Sequence, residues 1–305
     1  MYDIIGDVHG HATLLKNLLL SMGYVKSRSG YFHPERKAVF VGDFVNRGPE
    51  IRQSVELIRK MTEGGHALAV LGNHEINALL YHLKREKKAS LLDKMGKRYQ
   101  SVEETILQFK NFQEEWKSHR KWLRTLPLFL ELDGLRVVHA CWTTRNIQVL
   151  KEELAPGKLP KEVLRDLVLE PRSSLSQAIL QTSRGIHLIM PADLRLYDNH
   201  RRHHHLFRVR WWKEPHGLTF QQLSFESKFR LPDYTIPGEL LPETEPYAPD
   251  APPVFFGHYC RGNGPFIIRK NICCVDACVT GKKRLAAYRW DGERHLDPEK
   301  LVFVK

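Results

Sequence analysis

The sequence predicts an α/β fold in which at least some strands are parallel. Three short apolar runs, at residues 2–5, 38–41 and 67–71, are each followed by a glycine-containing polar turn and then by a helical pattern. Short runs rich in β-branched and aromatic residues are typical of buried strands. Strands that alternate with helices pair in parallel, because each helix carries the chain back to the start of the next strand. The repeated strand–turn–helix order therefore defines the fold class.

Helical spacing of apolar residues predicts the helices. The first helix carries Leu14, Leu15, Leu18, Leu19 and Met22 and ends at Gly23. The same spacing predicts helices over residues 51–61, from about residue 76, and over residues 102–122, 160–169 and 173–184. The helix over residues 102–122 is long and amphipathic, and we expect its aromatic stripe to face the core.

The remaining strands lie in the second half of the chain. A hairpin is predicted over residues 128–138, because Asp133-Gly134 is a turn dipeptide between two apolar runs. Residues 253–256 read as a further buried strand. We expect residues 272–275 and 284–290 to close the fold as an antiparallel pair.

We expect residues 1–305 to form a single domain, in which residues 145–252 are an insertion and strap over the functional site. The insertion includes a basic stretch, residues 195–213, which contains the run His203-His204-His205. Residues 232–253 hold seven of the seventeen prolines. Proline fixes φ and lacks a backbone donor, so this strap is predicted to be extended.

The composition limits which cellular locations and binding partners are expected. The formal net charge of +12 suits a phosphorylated or polyanionic substrate, or nucleic acid. No apolar run approaches the about 18 residues of a membrane span, so no membrane partner is expected. The five cysteines form no CxxC pair, and they are Cys141, Cys260, Cys273, Cys274 and Cys278. Reduced thiols, without a disulfide framework or zinc knot, and no visible secretory signal predict a cytoplasmic protein.

Polar residues follow five of the predicted strands. They are Asp7 and His9, Asp43, Asn73 and His74, His139, and His258. The carboxyl ends of parallel strands share one edge of a sheet, and ligands bind there in open α/β folds. Carboxylate, imidazole and amide oxygen suit divalent first-row metals. The predicted ligands of one ion are Asp7, His9 and Asp43, and those of a second are Asp43, Asn73, His139 and His258.

The motifs GDVHG, GDFVNRG and GNHE, followed by the histidines of VVHA and FGH, resemble those of calcineurin-like metallophosphoesterases. The resemblance covers about residues 2–145 and 253–295. It points to the branch of phosphoprotein phosphatases and bacterial symmetrical diadenosine tetraphosphatases. It implies a four-layer α/β sandwich, two mixed sheets flanked by helices. It also implies two divalent ions, with Mn²⁺ first and Fe, Zn, Ni or Co as alternatives, and a metal-bridging hydroxide that attacks phosphorus in line.

The resemblance also implies roles for side chains around the metals. Arg47 would clamp phosphate oxygens, and His74 would protonate the leaving oxygen. A second arginine is needed across the phosphate, for which the insertion offers Arg210, with Arg208 as the alternative. Asn46 departs from the pattern, because protein phosphatases carry there an Asp that supports the catalytic histidine. The neutral Asn46 can accept a hydrogen bond from His74 but cannot raise its pKa by charge.

The missing charge bears on the substrate. A weak general acid hurts least when the leaving group is a phosphate rather than a basic alkoxide. The sequence therefore supports two substrate classes about equally. They are phosphomonoesters, from a phosphoprotein or a small molecule, and nucleoside polyphosphates. Phosphodiesters are a third possible class. The alternative outside the enzymes is a basic nucleic-acid-binding protein with an inert metal site, which the complete ligand set opposes.

Overall fold

The computed structural model describes residues 1–86, 100–154, 158–191, 196–198, 203–226, 229, 231–260 and 265–305. The basic stretch 195–213 lies partly outside the described residues. None of the described helices has the length and apolar character to cross a membrane.

Strands and helices are numbered here in chain order. The strands are β1 Tyr2–Ile5, β2 Val25–Ser27, β3 Gly30–Phe32, β4 Lys37–Phe40, β5 Ala67–Ala69, β6 Phe129–Leu132, β7 Leu135–Val138, β8 His187–Ile189, β9 Leu196–Tyr197, β10 His203–His204, β11 Leu206–Arg208, β12 Val254–Phe256, β13 Phe266–Arg269, β14 Ile272–Cys274, β15 Leu285–Trp290 and β16 Leu301–Val304. The helices are α1 Ala12–Ser21, α2 Ile51–Glu63, α3 Asn73–Glu86, α4 Glu103–Gln108, α5 Gln113–Leu123, α6 Thr144–Glu153, α7 Lys161–Leu169, α8 Ser174–Arg184, α9 Phe220–Leu223 and α10 Val279–Lys282.

Two five-stranded mixed sheets form the centre of the fold. The first has the order β16–β15–β1–β4–β5, in which β1, β4 and β5 are parallel and β15 pairs antiparallel with both β1 and β16. The second has the order β13–β14–β12–β7–β6, with β14, β12 and β7 parallel and an antiparallel strand at each edge. The parallel strands are adjacent within each sheet, on one side of the first and in the middle of the second, so their carboxyl ends lie along one edge of each sheet.

The two sheets pack face to face. Ile4 and Val39 of the first sheet and Val137 and Phe255 of the second are fully buried in one shared apolar cluster. Side chains alternate along a strand, so the residues next to them, such as Ile5, point to the opposite face and join the larger cluster that the helices cover. The predicted four-layer sandwich, two mixed sheets flanked by helices, is confirmed.

The chain between β7 and β12 adds helices α6 to α8, small two-stranded sheets and the strap. Trp211 and Trp212 lie with ring centroids 5.3 and 5.6 Å from that of Phe256 in β12, so this part shares apolar contacts with the second sheet. In the described part of the strap, the regular structure is one short 3₁₀ turn, Gly238–Leu240, as the prolines predict. The single domain with an insertion at residues 145–252 stays a prediction.

The prediction of one continuous helix over residues 102–122 is wrong. The structure has two helices, α4 and α5, separated by a turn after Phe109. The side chain of Gln113 bonds the carbonyl groups of Phe109 and Lys110, and Phe112 lies under the guanidinium of Arg52, 3.6 Å from the ring centroid. The aromatic stripe continues across the break, because Phe109 and Trp116 are both buried. The apolar periodicity of the sequence therefore gives no sign of the break.

The predicted antiparallel pairing of residues 272–275 with residues 284–290 is also wrong. Strand β14 lies in the second sheet, parallel to β12, whereas β15 lies in the first sheet, antiparallel to β1. Hydrophobic pattern identifies a strand but does not identify its partner, because both strands are buried on both faces. Consequently the carboxyl end of β14 also reaches the edge where the functional residues gather.

Candidate active site

The carboxyl ends of five parallel strands bring the predicted ligands to one place. Asp7 and His9 follow β1, Asp43 follows β4, Asn73 and His74 follow β5, His139 follows β7 and His258 follows β12. Residues 73 and 74 were expected in a loop, but α3 begins at Asn73, so both stand on its first turn. Both sheets therefore contribute to the same cluster.

Asp43 lies at the centre of the cluster. Its Oδ2 atom is 3.6 Å from His9 Nε2, 3.4 Å from His139 Nε2 and 4.0 Å from His74 Nε2. Two groups of close donor atoms that could hold a metal ion share this carboxylate. They are His9, Asp43 and His74, and Asp43, His139 and His258. Asp43 belongs to both groups, whereas Asp7, which is predicted as a ligand beside His9 and Asp43, is in neither of them.

Two of the histidines are oriented by backbone carbonyl groups. His9 Nδ1 lies 3.2 Å from the oxygen of Val45, and His139 Nδ1 lies 2.7 Å from the oxygen of Val41. A ring nitrogen that donates to a carbonyl leaves Nε2 with its lone pair, which is the usual state of a metal-ligating histidine. The Oδ1 atom of Asn73 is 3.1 Å from His139 Nε2. This set of nitrogen and oxygen donors fits a divalent first-row cation.

Asp7 stands beside a second carboxylate that the sequence reasoning missed. Asp7 accepts the backbone N–H of His258 at 3.1 Å. Burial raises the pKa of Asp7 well above its usual range, and the charge of the buried Asp276 adds to the effect. Asp276 follows β14, so the same rule of parallel strand ends would have found it. It was missed because β14 was assigned to an antiparallel pair.

Glu75 holds the two loops that carry Asp43 and Asn73. Its buried carboxylate accepts four backbone N–H groups, those of Asp43, Phe44, Val45 and Gly72, at 2.7 to 3.1 Å. Burial raises the pKa of Glu75 to about 7, and the charge of Asp43 contributes. Gly72 has to be glycine, because a Cβ there would collide with the Asp43 carboxylate.

The backbone of the cluster is left-handed at several non-glycine residues. They are His9, Asp43, Asn46, Arg47 and His258, with φ of 40°, 53°, 68°, 70° and 62°. Such conformations cost about 1–3 kcal/mol each and persist where surrounding contacts over-determine them. The hydrogen bonds of Glu75 and the carbonyl contacts of the histidines are such contacts.

Asn46 contacts His74 in a different way from the one expected. The hydroxyl of Thr105, on α4, donates to Asn46 Oδ1 at 2.5 Å and accepts the Asn46 backbone N–H at 3.0 Å. With Oδ1 occupied, the amide nitrogen of Asn46 faces His74 Nδ1 at 2.8 Å and donates to it. The expected acceptance by Asn46 is therefore wrong, because Thr105 fixes the orientation of the amide. This places the His74 proton on Nε2.

The pKa values of His74 and His139 are shifted in opposite directions. Burial lowers the pKa of His74 to about 4, and the charge of Asp43 only partly offsets this because the guanidinium groups of Arg47 and Arg184 lower it further. Burial also acts to lower the pKa of His139, but the carboxylate of Asp43 prevails and raises it to about 10. A ligating imidazole is neutral, so a cation that takes up His139 releases a proton.

The charges of two arginines, Arg47 and Arg184, act on His74. Arg47 is exposed on the turn after Asp43, and its charge acts on both His9 and His74. Arg184, which the sequence reasoning missed, donates to Asn77 on α3 at 2.8 Å, one helical turn beyond His74. A cation in the last turn of a helix commonly only caps it, so the position of Arg184 in the sequence does not indicate a functional role.

The two arginines proposed from the insertion have other contacts. Arg208 forms an ion pair with Glu226 at 2.7 Å and donates to the carbonyl of His258 at 2.9 Å. Arg210 donates to the carbonyl of Gln222 at 3.4 Å. Arg208 therefore touches the backbone of a predicted ligand, whereas Arg210 contacts the end of α9.

A disulfide joins Cys260 to Cys278, with their Cα atoms 5.1 Å apart. The prediction of five reduced thiols is wrong for this pair, because β12 and β14 are parallel neighbours and bring the two loops that follow them together. Cys141, Cys273 and Cys274 are buried free thiols. The cytoplasmic location stays a prediction.

Imidazole and carboxylate donors gathered at the strand ends of a two-sheet α/β sandwich define a metal-binding protein of the metallohydrolase type. The chain belongs to the calcineurin-like phosphoesterase family, whose model matches residues 2–261. The family resemblance drawn from the motifs is thereby confirmed. Membership implies divalent metal ions, and the described residues include the two candidate groups for them.

Comparison with known proteins gives relatives of two kinds. An asymmetrical bis(5'-nucleosyl)-tetraphosphatase of Oceanobacillus iheyensis is 31% identical over 144 residues, 45% of this chain and 54% of that protein. The chain thus spans about half the length of several curated relatives it matches. A symmetrical bis(5'-nucleosyl)-tetraphosphatase of Ralstonia nicotianae is 28% identical over 296 residues, 93% of this chain and 87% of that protein.

Solved structures show the same fold. A serine/threonine phosphatase from Saccharomyces cerevisiae, similar to human PP5, matches with a TM-score of 0.52 and 14% identity. The match covers 99% of this chain and 78% of the yeast chain. At this identity the likeness concerns the fold alone.

Proposed function

We propose that this chain is a dinuclear metal-dependent phosphohydrolase. The observation that carries the proposal is the position of Asp43 Oδ2, which lies within 4.0 Å of Nε2 atoms from three histidines. A carboxylate at the junction of two donor groups is what a ligand shared by two cations requires. One cation would be held by Asp7, His9 and Asp43, and the other by Asp43, Asn73, His139 and His258.

Manganese is the first choice of metal, with Fe, Zn, Ni or Co as alternatives, since the donors are nitrogen and oxygen without thiolate. When bound, the two cations polarise the phosphoryl oxygens and lower the pKa of a water so that it can attack phosphorus in line. The substrates we propose first are phosphomonoesters, from a phosphoprotein or a small molecule.

The chain's own side chains bind and orient the phosphoryl group. Arg47 is exposed beside His74 and can present two parallel N–H groups to phosphate oxygens. We propose Arg184 as the second phosphate-binding arginine, in preference to Arg210, because its guanidinium donates to Asn77, one helical turn beyond His74. Arg208 then serves to hold the loop of His258 through its carbonyl.

His74 holds a proton at Nε2 and directs it toward the leaving oxygen. Its Nδ1 atom accepts from the Asn46 amide, so the ring is a neutral donor rather than an imidazolium. A neutral imidazole stabilises developing charge by a hydrogen bond but is a poor source of a full proton. Leaving groups that need little protonation are therefore favoured.

The test is metal content measured together with aryl phosphate turnover. We expect a chelator to abolish turnover and added Mn²⁺ to restore it. Asp43→Asn should bind less metal and lose turnover by about 100-fold or more, because both cation sites lose a charge. The matched control is Asp133→Asn, in the exposed turn of the β6–β7 hairpin, which should leave both unchanged. Full turnover in metal-depleted Asp43→Asn protein would contradict the proposal.

Nucleoside polyphosphates are the second candidate substrates. The orientation of the Asn46 amide favours them, because a phosphate leaving group departs without full protonation by His74. The names of the relatives agree, since those proteins are called bis(5'-nucleosyl)-tetraphosphatases. Turnover of a phosphopeptide, an aryl phosphate, a bis-nucleoside tetraphosphate and a phosphodiester under one metal condition ranks the candidates.

A further inference from the structure

We propose that the disulfide between Cys260 and Cys278 is a redox switch that sets the metal affinity of the candidate active site. The proposal rests on the proposed function and names a regulation of the same site. Cys260 comes two residues after the predicted ligand His258, and Cys278 comes two residues after Asp276. The bond therefore ties together two loops that carry site residues, at the ends of β12 and β14.

The loop after β14 is the firmly held end of this tie. The carboxylate of Asp276 accepts the backbone N–H of Cys278 at 2.8 Å. Cys278 immediately precedes α10, and its carbonyl accepts the N–H groups of Gly281 and Lys282 at 3.1 and 2.8 Å. Asp276 and Cys278 are each only 4% exposed. Cys278 is thus a fixed point to which the loop after β12 is fastened.

His258 depends on its loop more than two other predicted histidine ligands do. The rings of His9 and His139 are oriented by backbone carbonyl groups. Within the described part of the chain, the His258 ring makes no hydrogen bond. It packs against the rings of His139 and Tyr259, with centroids 5.2 and 5.7 Å away. The direction of its ligating nitrogen is therefore set largely by the backbone of the loop.

That backbone has a conformation that needs support. His258 and Cys278 have φ of 62° and 61°, in the left-handed region that residues with a Cβ rarely adopt. The N–H of His258 donates to Asp7 at 3.1 Å, and its carbonyl accepts from Arg208 at 2.9 Å. The disulfide adds a covalent tie two residues further on. Without this tie the loop can relax toward commoner backbone angles, which leaves His258 less well placed for a cation.

The disulfide is accessible to reductants from one side. Cys260 is exposed, whereas Cys278 is buried. A thiolate of a small dithiol can therefore attack Sγ of Cys260, and Sγ of Cys278 leaves and takes up a proton. The second thiol of the reductant then attacks the mixed disulfide and releases the Cys260 thiol. Two electrons and two protons pass from the dithiol to the protein, and the dithiol becomes a cyclic disulfide.

The switch has a defined direction. The oxidised protein holds its second cation at low Mn²⁺, and the reduced protein needs more Mn²⁺ for the same occupancy. Contacts that orient a metal ligand typically change metal affinity by about 10–100-fold, so we expect a change of about tenfold. Exposed disulfides are typically the labile and regulatory ones, and those in reducing compartments are usually transient and redox-sensing. The predicted cytoplasmic location is such a compartment.

The experiment is calorimetry of Mn²⁺ binding to metal-free protein in the oxidised and the reduced state. The reductant is removed under nitrogen before Mn²⁺ is added, because thiols bind metal. We expect one site to be about tenfold weaker in reduced wild type and in Cys260→Ser, and the other site to stay within about twofold. The matched control is Cys273→Ala, a buried free thiol of β14, which should respond to reduction as wild type does.

A second variant shows whether the effect acts through His258. In His258→Ala the affinity for Mn²⁺ should be the same in both redox states, because the ligand that the disulfide positions is gone. Turnover of an aryl phosphate by reduced wild type should need about tenfold more Mn²⁺, with kcat at saturating Mn²⁺ within about twofold. Equal affinities in both states of wild type, tighter binding after reduction, or a redox effect that persists in His258→Ala would each overturn the proposal.

These measurements separate the switch from the proposed function. If turnover requires metal but Mn²⁺ affinity is the same in both redox states, the switch is wrong and the proposed function stands. If no phosphate compound is hydrolysed with any metal, the proposed function is wrong. The calorimetry then still decides whether the disulfide controls metal binding.

Discussion

Asn46 shows how one neighbouring side chain can change the role of a residue. Its neutral amide could either accept from His74 or donate to it, and the sequence could not distinguish between these states. Thr105 is 59 positions away in sequence and decides the matter by occupying Oδ1. The result is a His74 ring whose Nδ1 accepts and whose Nε2 carries the proton.

This arrangement predicts a strong dependence of rate on the pKa of the leaving group. Aryl phosphates and phosphoanhydrides should be cleaved much faster than alkyl phosphates by wild type. Asn46→Asp should help alkyl substrates selectively, because a carboxylate accepts from Nδ1 and supports the imidazolium. Each unit of pKa gained by His74 corresponds to about 1.4 kcal/mol, which bounds the improvement at about tenfold per unit.

The measurement is a leaving-group series on wild type, Asn46→Asp and His74→Asn. His74→Asn should slow alkyl substrates more than aryl ones. A flat series in wild type, or identical slopes in wild type and Asn46→Asp, would show that His74 is not the source of the proton.

A second prediction at the residue scale distinguishes the arginines that bind phosphate from those that do not. Arg47→Ala and Arg184→Ala should each raise KM, lower kcat and weaken inhibition by inorganic phosphate, with metal content intact, because each removes a charge-assisted contact to phosphate. Arg210→Ala should leave phosphate inhibition unchanged, since that side chain contacts Gln222. Inhibition constants measured for all three variants check the assignment, and equal effects in all three would refute it.

The secondary structure elements differ in how far the sequence determines them. The three strand–turn–helix units of the first 86 residues follow from local pattern, because strand, turn and helix are adjacent in the chain. The candidate ligands at their ends, such as Asp43, can be predicted for the same reason. The partner of β14 was not found, because pairing in a buried sheet is decided by packing between segments far apart in sequence. Asp276 follows β14, so it was not predicted as a site residue either.

The disulfide between the loops after β12 and β14 allows a prediction at the scale of elements. Cys260 and Cys278 are separated by 18 positions, and closing a loop of this size stabilises a protein by about 3 kcal/mol in the chain-entropy model. Reduction, or Cys260→Ser, should therefore lower the midpoint of thermal unfolding by several degrees.

Thiol titration of the denatured protein gives the control. We expect three reactive thiols without reductant, those of Cys141, Cys273 and Cys274, and five with it. Five thiols without reductant, together with an unchanged midpoint, would show that the bond does not form.

At the scale of the whole molecule, the candidate metal centre is also a junction between the two sheets. Asp43 and His9 follow strands of the first sheet, whereas His139 and His258 follow strands of the second. A cation held by residues of both sheets binds the folded state and not the unfolded chain. Metal binding should therefore stabilise the entire fold.

The size of this stabilisation follows from mass action. At a free Mn²⁺ concentration 100 times the dissociation constant, the free energy of unfolding should rise by about 2.7 kcal/mol for one site. Thermal unfolding at increasing Mn²⁺ measures it. Asp43→Asn should show a much smaller shift, and an equal shift in that variant would mean that the ions bind elsewhere.

The pairing of β1 with β15 has a consequence for synthesis on the ribosome. Tyr2 lies opposite Trp290, so β1 completes its hydrogen bonding only with a strand that is synthesised much later. A nascent chain that has exposed β1 and β4 carries an open strand edge until β15 is made. Contacts of such long sequence separation slow folding, and an unpaired edge invites association with other chains. Chaperones that shield exposed strands should accordingly matter more for this protein during translation than after release.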